Sequence, residues 1–281
     1  MSDLPVEPVE ELRDPAAPRP SRLAGLGRAL LILAIILAIW YLGAFLLQLT
    51  GDRLAGSKLP FPHVIVDRVI TFPGTIAEAT WATGSRAVAG FFIGLGVGLL
   101  FGILMIQARW LEVSILPYVL ASQMIPLIAL VPIMRAILRN PELVRLYLAA
   151  YVTFFIVSIA VLRGLKSVNR DSLDLMDSLN AGRLTVLRVL RLPAAVPYIF
   201  SGLKIAAPLS LVGAIIVDLT GAQNSLGYLM VAAVAIGPSQ APFLWAALII
   251  SSTLGLLFAR IVGAVERRIS PWQPAFRESV D

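Results

Sequence analysis

The chain has 281 residues, of which 58% are hydrophobic and only 14% charged, with a formal net charge of +6 and a mean hydropathy of +0.85. Soluble domains run nearer half apolar and a quarter charged, so this composition excludes a soluble enzyme or a secreted module and indicates a membrane protein. Zero cysteines exclude disulfides, thiol nucleophiles and thiolate metal sites; the single His63 argues against a histidine metal or proton-relay centre, and the basic excess fits arginines flanking membrane spans better than nucleic-acid binding.

Residues 1–28 hold five prolines, five acids and four arginines with little apolar periodicity, the composition of a disordered tail. The run 29–49 reaches the ~20 residues needed to cross a bilayer, and no small-residue cleavage site follows it, which predicts a retained first span. The loop 51–86 has room for an interfacial helix around His63 to Thr71. Charge-free runs predict further spans over 87–106, 113–134 and 146–162. Between Lys204 and Arg260 the only charge is Asp218, and the polar turn from Gly221 to Gly227 divides that stretch into spans over 197–219 and 240–262. The expected fold is therefore all-α, with six transmembrane helices over 29–265 and a second tail over 266–281. With the N-terminus in the cytoplasm, 16 Lys/Arg fall inside and seven outside, namely Arg53, Lys58, Arg68, Arg86, Arg135, Arg139 and Arg145; this asymmetry predicts cytoplasmic N- and C-termini.

Within the second span Gly90, Gly94, Gly98 and Gly102 recur every four residues, a stripe that lets another backbone approach closely, within the subunit or at a sliding interface. The fifth span repeats the device with Gly202, Ala206, Ser210 and Ala214, and the next position in the series is Asp218. An ionisable group in a span is costly unless it faces a cavity or a partner, so Asp218, with Ser210, reads either as part of a translocation path or gate or as a capping and packing group. The third span carries Pro117, Pro126 and Pro132 with Ser122 and Gln123, so its hydrogen-bond ladder must be interrupted and its freed carbonyls met by neighbours or water. Gln123 and Pro126 accordingly suit a pathway wall, or a kinked packing helix.

The inner loop from Arg163 to Pro193 is the most informative segment. Asn169 or Asp171 can cap a short helix over 172–179 whose apolar side is Leu175, Met176 and Leu179, and Asn180 can end it in the left-handed conformation. A second short helix over 183–191 carries Arg183, Arg188 and Arg191 ahead of Leu192 and Pro193. Two amphipathic helices joined in this way form a knob that another protein can grip, or lie on the membrane surface.

The run from Asp174 through Asp177, Asn180, Gly182, Arg183 and Arg188 to Leu192 and Pro193 resembles the EAA loop of binding-protein-dependent ABC import permeases. The flanks match as well: Leu59, Pro60 and Pro62 after the first span, Ser85, Arg86, Gly90 and Phe91 opening the second, Gln123, Pro126 and Pro132 in the third, and Gly221 through Leu226, Gly227 and Tyr228 after Asp218. Together, over about residues 59–265, they look like the nitrate, sulfonate and taurine branch. Anchored on Pro193, the family's glutamate falls on Asp174, its two alanines on Leu175 and Met176, and its glycine on Asn180; Asp218 stands where the family usually has glutamate. Asn for Gly keeps the left-handed turn feasible, whereas the two bulkier residues imply a differently shaped docking surface.

What the resemblance implies is the permease of a type I ABC importer, with a coupling loop over 166–193 in which Asp174, Asp177, Asn180, Gly182, Arg183, Arg188 and Pro193 meet a cytoplasmic ABC ATPase dimer. Its further partners would be a second permease subunit, expected as a second copy of this chain, and an extracytoplasmic solute-binding protein. The chain itself would bind no cofactor, since ATP and Mg belong to the ATPase, and no metal or nucleic acid, and would hold no catalytic residue. The sequence agrees in lacking a phosphate loop: Gly51 to Lys58 comes near one, but its Ser57 and Lys58 stand in the wrong order. An intramembrane enzyme would need clustered catalytic groups that the spans lack, and a channel or secondary carrier would not need the knob. The solute classes implied are sulfonates, nitrate, taurine and vitamin precursors.

Overall fold

The computed structural model describes residues 22–51 and 54–271, and the described residues contain helices and no strand. In lipid every backbone polar group must be satisfied within the chain, which leaves helices as the form these apolar runs can take. The expected tail over 1–28 lies largely outside the described residues, as do Arg53 and positions 272–281 of the expected second tail.

Helix α1 spans Arg22–Leu49, and the following segment folds into α2, Ala55–Lys58, and α3, Pro62–Thr71. Pro62 opens α3 at a helical position where its missing N–H costs nothing, and this helix occupies the stretch expected to be interfacial. Helix α4 runs from Pro73 to Gln107. At 35 residues it is about 50 Å long and extends well beyond the span expected over 87–106, so Thr83 and Arg86 lie on the same rod as the glycine stripe.

The third span is interrupted, as its prolines predict. In place of one helix over 113–134 there are two, α5 (Arg109–Ser122) and α6 (Leu127–Leu138), meeting at 98°. Pro126 has no N–H to offer the Ser122 carbonyl four residues earlier. That carbonyl instead accepts from the Tyr151 hydroxyl at 2.5 Å, and the chain between them tightens into i to i−3 turns at Gln123, Met124 and Ile125. Pro117 and Pro132, within α5 and α6, do not break them.

Helix α7, Pro141–Lys166, is capped by Asn140, whose side chain accepts from the Glu142 N–H at 2.9 Å. It begins five residues before the predicted span and so takes in Glu142 and Arg145. Helix α8 covers Arg170–Ser178 and α9 Arg183–Thr185. The helical path then passes through a π-helical stretch, Val186–Arg191, straight into α10, Leu192–Asp218. The expected separation between a short helix ending at 191 and a span starting at 197 is thus absent, because Pro193 sits in the first turn of α10, where proline is tolerated. An unforeseen short apolar helix α11, Leu226–Ile236, precedes a 3₁₀ turn and α12, Ala241–Ile269. Five of the described helices are long and apolar enough to cross a membrane, and six spans result only if the bent α5–α6 pair counts as one.

The centre of the molecule is the α4, α7, α10 triplet, with α12 against α10. The glycine stripe makes the first contact possible. A Cβ on Gly90 would stand 2.5 Å from the Ala149 Cβ, one on Gly94 2.4 Å from the Ala150 carbonyl oxygen, one on Gly98 2.7 Å from the Val157 Cβ and one on Gly102 2.5 Å from the Val161 Cβ. The stripe is therefore spent inside the subunit, against α7. On α10, Gly202 faces Ala160 in the same way, while Ala206, Ser210 and Ala214 are wholly enclosed. Helix α1 contrasts with this core, since only 6% of its apolar window is buried.

Candidate functional site

At one end of the bundle, the loop end, the segment 167–191 projects from the core. Asn169 starts α8 by accepting from the Ser172 N–H at 3.1 Å. The helix stops in a Schellman motif: Asn180 takes φ 49°, its N–H reaches the Asp177 carbonyl at 2.8 Å and the Ala181 N–H reaches that of Met176 at 3.0 Å. Gly182, in extended conformation, then caps α9. No residue of α8 is buried, and Leu175 (61%), Leu179 (68%), Leu184 (56%) and Val189 (61%) expose apolar side chains around the turn. Asp174, Asp177, Asn180, Arg183 and Arg188 are exposed beside them. Four large apolar residues thus face out of one compact protrusion.

The knob is tied to the core at a few points. Leu187, in the π-helical stretch, packs with Val161, Leu165 and Ala195. Gly164 near the end of α7 lies so close to α10 that a Cβ there would meet Ala195 and the Tyr198 Cβ at 2.9 Å. Pro193, although exposed, stands in the first turn of α10, where the chain of the knob enters that helix. The base of the knob is thereby in direct contact with α7 and α10.

At the opposite end, Asp218 closes α10 with zero exposure. Its Oδ1 accepts from Arg145 Nε at 2.5 Å and its Oδ2 from the Thr83 hydroxyl at 2.6 Å. Thr83 Oγ1 in turn accepts from the Leu226 N–H at 3.1 Å. Arg145, only 1% exposed, also donates to the Ala222 and Gln223 carbonyls and pairs with Glu142, whose other oxygen binds Arg86 Nε at 2.6 Å. The turn 219–225 is held down at its tip as well, where Asn224 donates to Glu78 at 2.8 Å. One buried cluster thus joins α4, α7, α10 and the start of α11.

Asp218 and Ser210 are both fully buried within the subunit: the first is enclosed by the cluster just described, and the second has its hydroxyl turned back on the Ala207 carbonyl at 2.8 Å. Gln123 and Pro126 are exposed at the α5–α6 break, and Gln123 lines a cavity of about 340 Å³ together with Arg163, Tyr198, Ser201 and Gly202. The four expected pathway residues are therefore not brought together.

Sequence reasoning missed Arg145 as the partner of Asp218 and Glu266 as a second enclosed acid, 2% exposed and bound to Lys204 at 2.7 Å. The signal was present for Asp218, since a lone carboxylate in an apolar helix requires a cation nearby; Glu266, followed directly by Arg267 and Arg268, gave none.

A family model described as the binding-protein-dependent transport system inner membrane component matches residues 94–271. A probable ABC transporter permease protein of Brucella abortus (strain 2308) is 29% identical over 255 residues, covering 90% of this chain and 98% of that one. A putative aliphatic sulfonates transport permease protein of Bacillus subtilis (strain 168) is 26% identical over 253 residues, covering 89% and 88%. Among solved structures, the MetNI methionine ABC transporter in an inward-facing conformation superposes with a TM-score of 0.60 at 18% identity, over 69% of this chain and 95% of that one.

Proposed function

This chain belongs to the family of binding-protein-dependent transport system inner-membrane components and is the permease subunit of an ABC importer; from that premise we propose that it works as a pair of identical copies. Two cytoplasmic ATPases bind the knobs at 170–191, and an extracytoplasmic binding protein delivers the solute. ATP is hydrolysed on the ATPase, not on this chain. Its N- and C-termini face the cytoplasm, as the lysine and arginine asymmetry favours. The solute is a small molecule of the sulfonate, nitrate, taurine or vitamin-precursor kind, a reading supported by a relative named for aliphatic sulfonates.

The observation that carries the coupling role is the knob itself, four exposed apolar residues on a turn whose base, Leu187, is built into the core. ATPase closure draws the knob inward, and α7 and α10 follow because Gly164 and Ala195 leave no slack between them. The coupling requires that the ATPase bind the two states of the permease with different free energies.

Two substitutions test it. Asn180→Pro cannot hold φ 49° and loses the N–H given to Asp177, and Asp174→Lys reverses a charge on the docking face. Both are expected to leave insertion intact and to separate ATP hydrolysis from uptake in vesicles reconstituted with ATPase and binding protein, whereas Asn180→Gly, which adopts positive φ freely, retains coupling. Unchanged uptake per ATP in Asn180→Pro and Asp174→Lys would refute the role given to the knob.

A further inference from the structure

Two adjoining cavities at the loop end share Ile106 and Arg191 in their walls. One, of about 450 Å³, lies among the ends of α4 and α7 and the start of α5; the other, of about 360 Å³, lies under the α8–α9 turn. Lys166, in the first, is already bound to Glu112 at 2.5 Å. The side chains of Arg109 and Arg191 of the first and Arg183 of the second make no ion pair or hydrogen bond with a described residue. Against these three guanidinium groups stands, among the described residues, one lining carboxylate without an ion-pair partner, Asp177.

Arginines near a membrane face are ordinarily spread over solvated loops. Here they are gathered around a concavity with an apolar floor, formed by Met105, which is 1% exposed, with Ile106 and the buried Leu187. The cavity is flanked on α5 by Trp110 and Val113, exposed by 68% and 65%, side chains suited to the interface and the acyl region. Unpaired guanidinium groups over an apolar floor match a phosphate oxyanion, which arginine binds in bidentate fashion.

We propose that this double cavity binds a phosphate-bearing anion, clamped between Arg109 and Arg191 and reached by Arg183, and supplied either as the headgroup of an anionic phospholipid or as free phosphate. Arg191 ends the π-helical stretch and Arg109 opens α5. An anion held by both therefore tethers the base of the knob to the bent α5–α6 element. Only the leaflet in which the site lies rests on the orientation proposed above.

The test uses the full chain alone, so its outcome is independent of any ATPase. The chain is reconstituted into vesicles of equal phosphatidylcholine and phosphatidylglycerol and extracted in mild detergent, and the bound phospholipids are counted by native mass spectrometry. Phosphatidylglycerol is expected in preference, and the preference should fall about fivefold for each arginine removed in Arg109→Gln with Arg191→Gln. Arg183→Gln alone, on an exposed turn, gives the single step should the double variant fail to fold. Arg260→Gln with Arg267→Gln, off the cavity on α12, leaves the preference unchanged. In a second arm, equilibrium dialysis of inorganic phosphate against the chain in neutral detergent distinguishes the sources: saturable phosphate binding lost in Arg109→Gln with Arg191→Gln, without a lipid preference, assigns the free anion. Equal retention of both lipids with no phosphate binding overturns the proposal, and so does an equal loss in the α12 pair, which would mean surface charge alone.

Discussion

Arg145→Met is expected to destabilise the bundle severely, because it leaves the Asp218 carboxylate enclosed with no cation, held by the Thr83 hydroxyl and the Gly227 N–H in place of a guanidinium at 2.5 Å. Removing one partner of a buried ion pair costs about 3–5 kcal/mol, a large part of the ~5–15 kcal/mol by which a folded domain is stable. The same substitution frees the Ala222 and Gln223 carbonyls and leaves Glu142 with Arg86 alone, so the turn before α11 loosens together with the α7–α10 contact. Combining Arg145→Met with Asp218→Leu removes both charges and restores most of the loss, because well-packed apolar side chains can replace a buried pair at little cost. Thermal unfolding of the detergent-purified chain, followed by size-exclusion elution, checks both results. An Arg145→Met chain as stable as the parent, or a double variant no better than the single, would show that the cluster does not hold this end together.

The second large effect concerns the glycine stripe and separates two glycines of one helix. Gly94→Ala places a methyl group 2.4 Å from the Ala150 carbonyl oxygen and 2.6 Å from the Thr153 Cβ. Since the first is backbone and the second a branched carbon, α4 and α7 must move apart along their length. Forced overpacking costs about 1–3 kcal/mol, and Gly94→Leu more. Gly96→Ala has nothing within 4 Å and should instead gain roughly 0.5–1 kcal/mol from the better helix propensity of alanine. Opposite signs for the same chemical change, measured by thermal unfolding, are the expected result. A loss at both positions would mean that helix backbone effects, not the α4–α7 approach, govern the stripe.

The sequence was most legible where one physical rule acted alone. Uninterrupted apolar runs located the cores of α4, α7, α10 and α12, and fourfold spacing identified the packing face of α4. Capping chemistry located Asn169 and the left-handed Asn180 of the knob, because each depends on a few local hydrogen bonds. Where a local rule met a tertiary one, the local rule failed. Ending the fourth span at the first charge excluded Arg145, although the acid it pairs with lies 73 positions away. Proline spacing indicated that the third span must be interrupted, but neither the 98° angle of the break nor the Tyr151 hydroxyl of another helix that donates to the Ser122 carbonyl is written in that spacing. Likewise, the spacing that puts Asp218 and Ser210 on one stripe shows nothing of their complete burial, which depends on the helices packed around them. The short helix α11 was missed because its 11 residues are too few to register as a span.

Coupling through the knob is tested most directly by affinity purification of the tagged chain from its native membranes in mild detergent, with mass spectrometry and an ATPase assay on the eluate. An ABC ATPase should co-purify and hydrolyse ATP, and it should be lost when Leu175→Glu and Leu179→Glu place charges on the exposed apolar face while the chain itself still extracts. A chain that emerges alone in several detergents, or one that retains the ATPase equally well with both leucines replaced, would contradict the assignment of 170–191 as the site where ATP hydrolysis is felt.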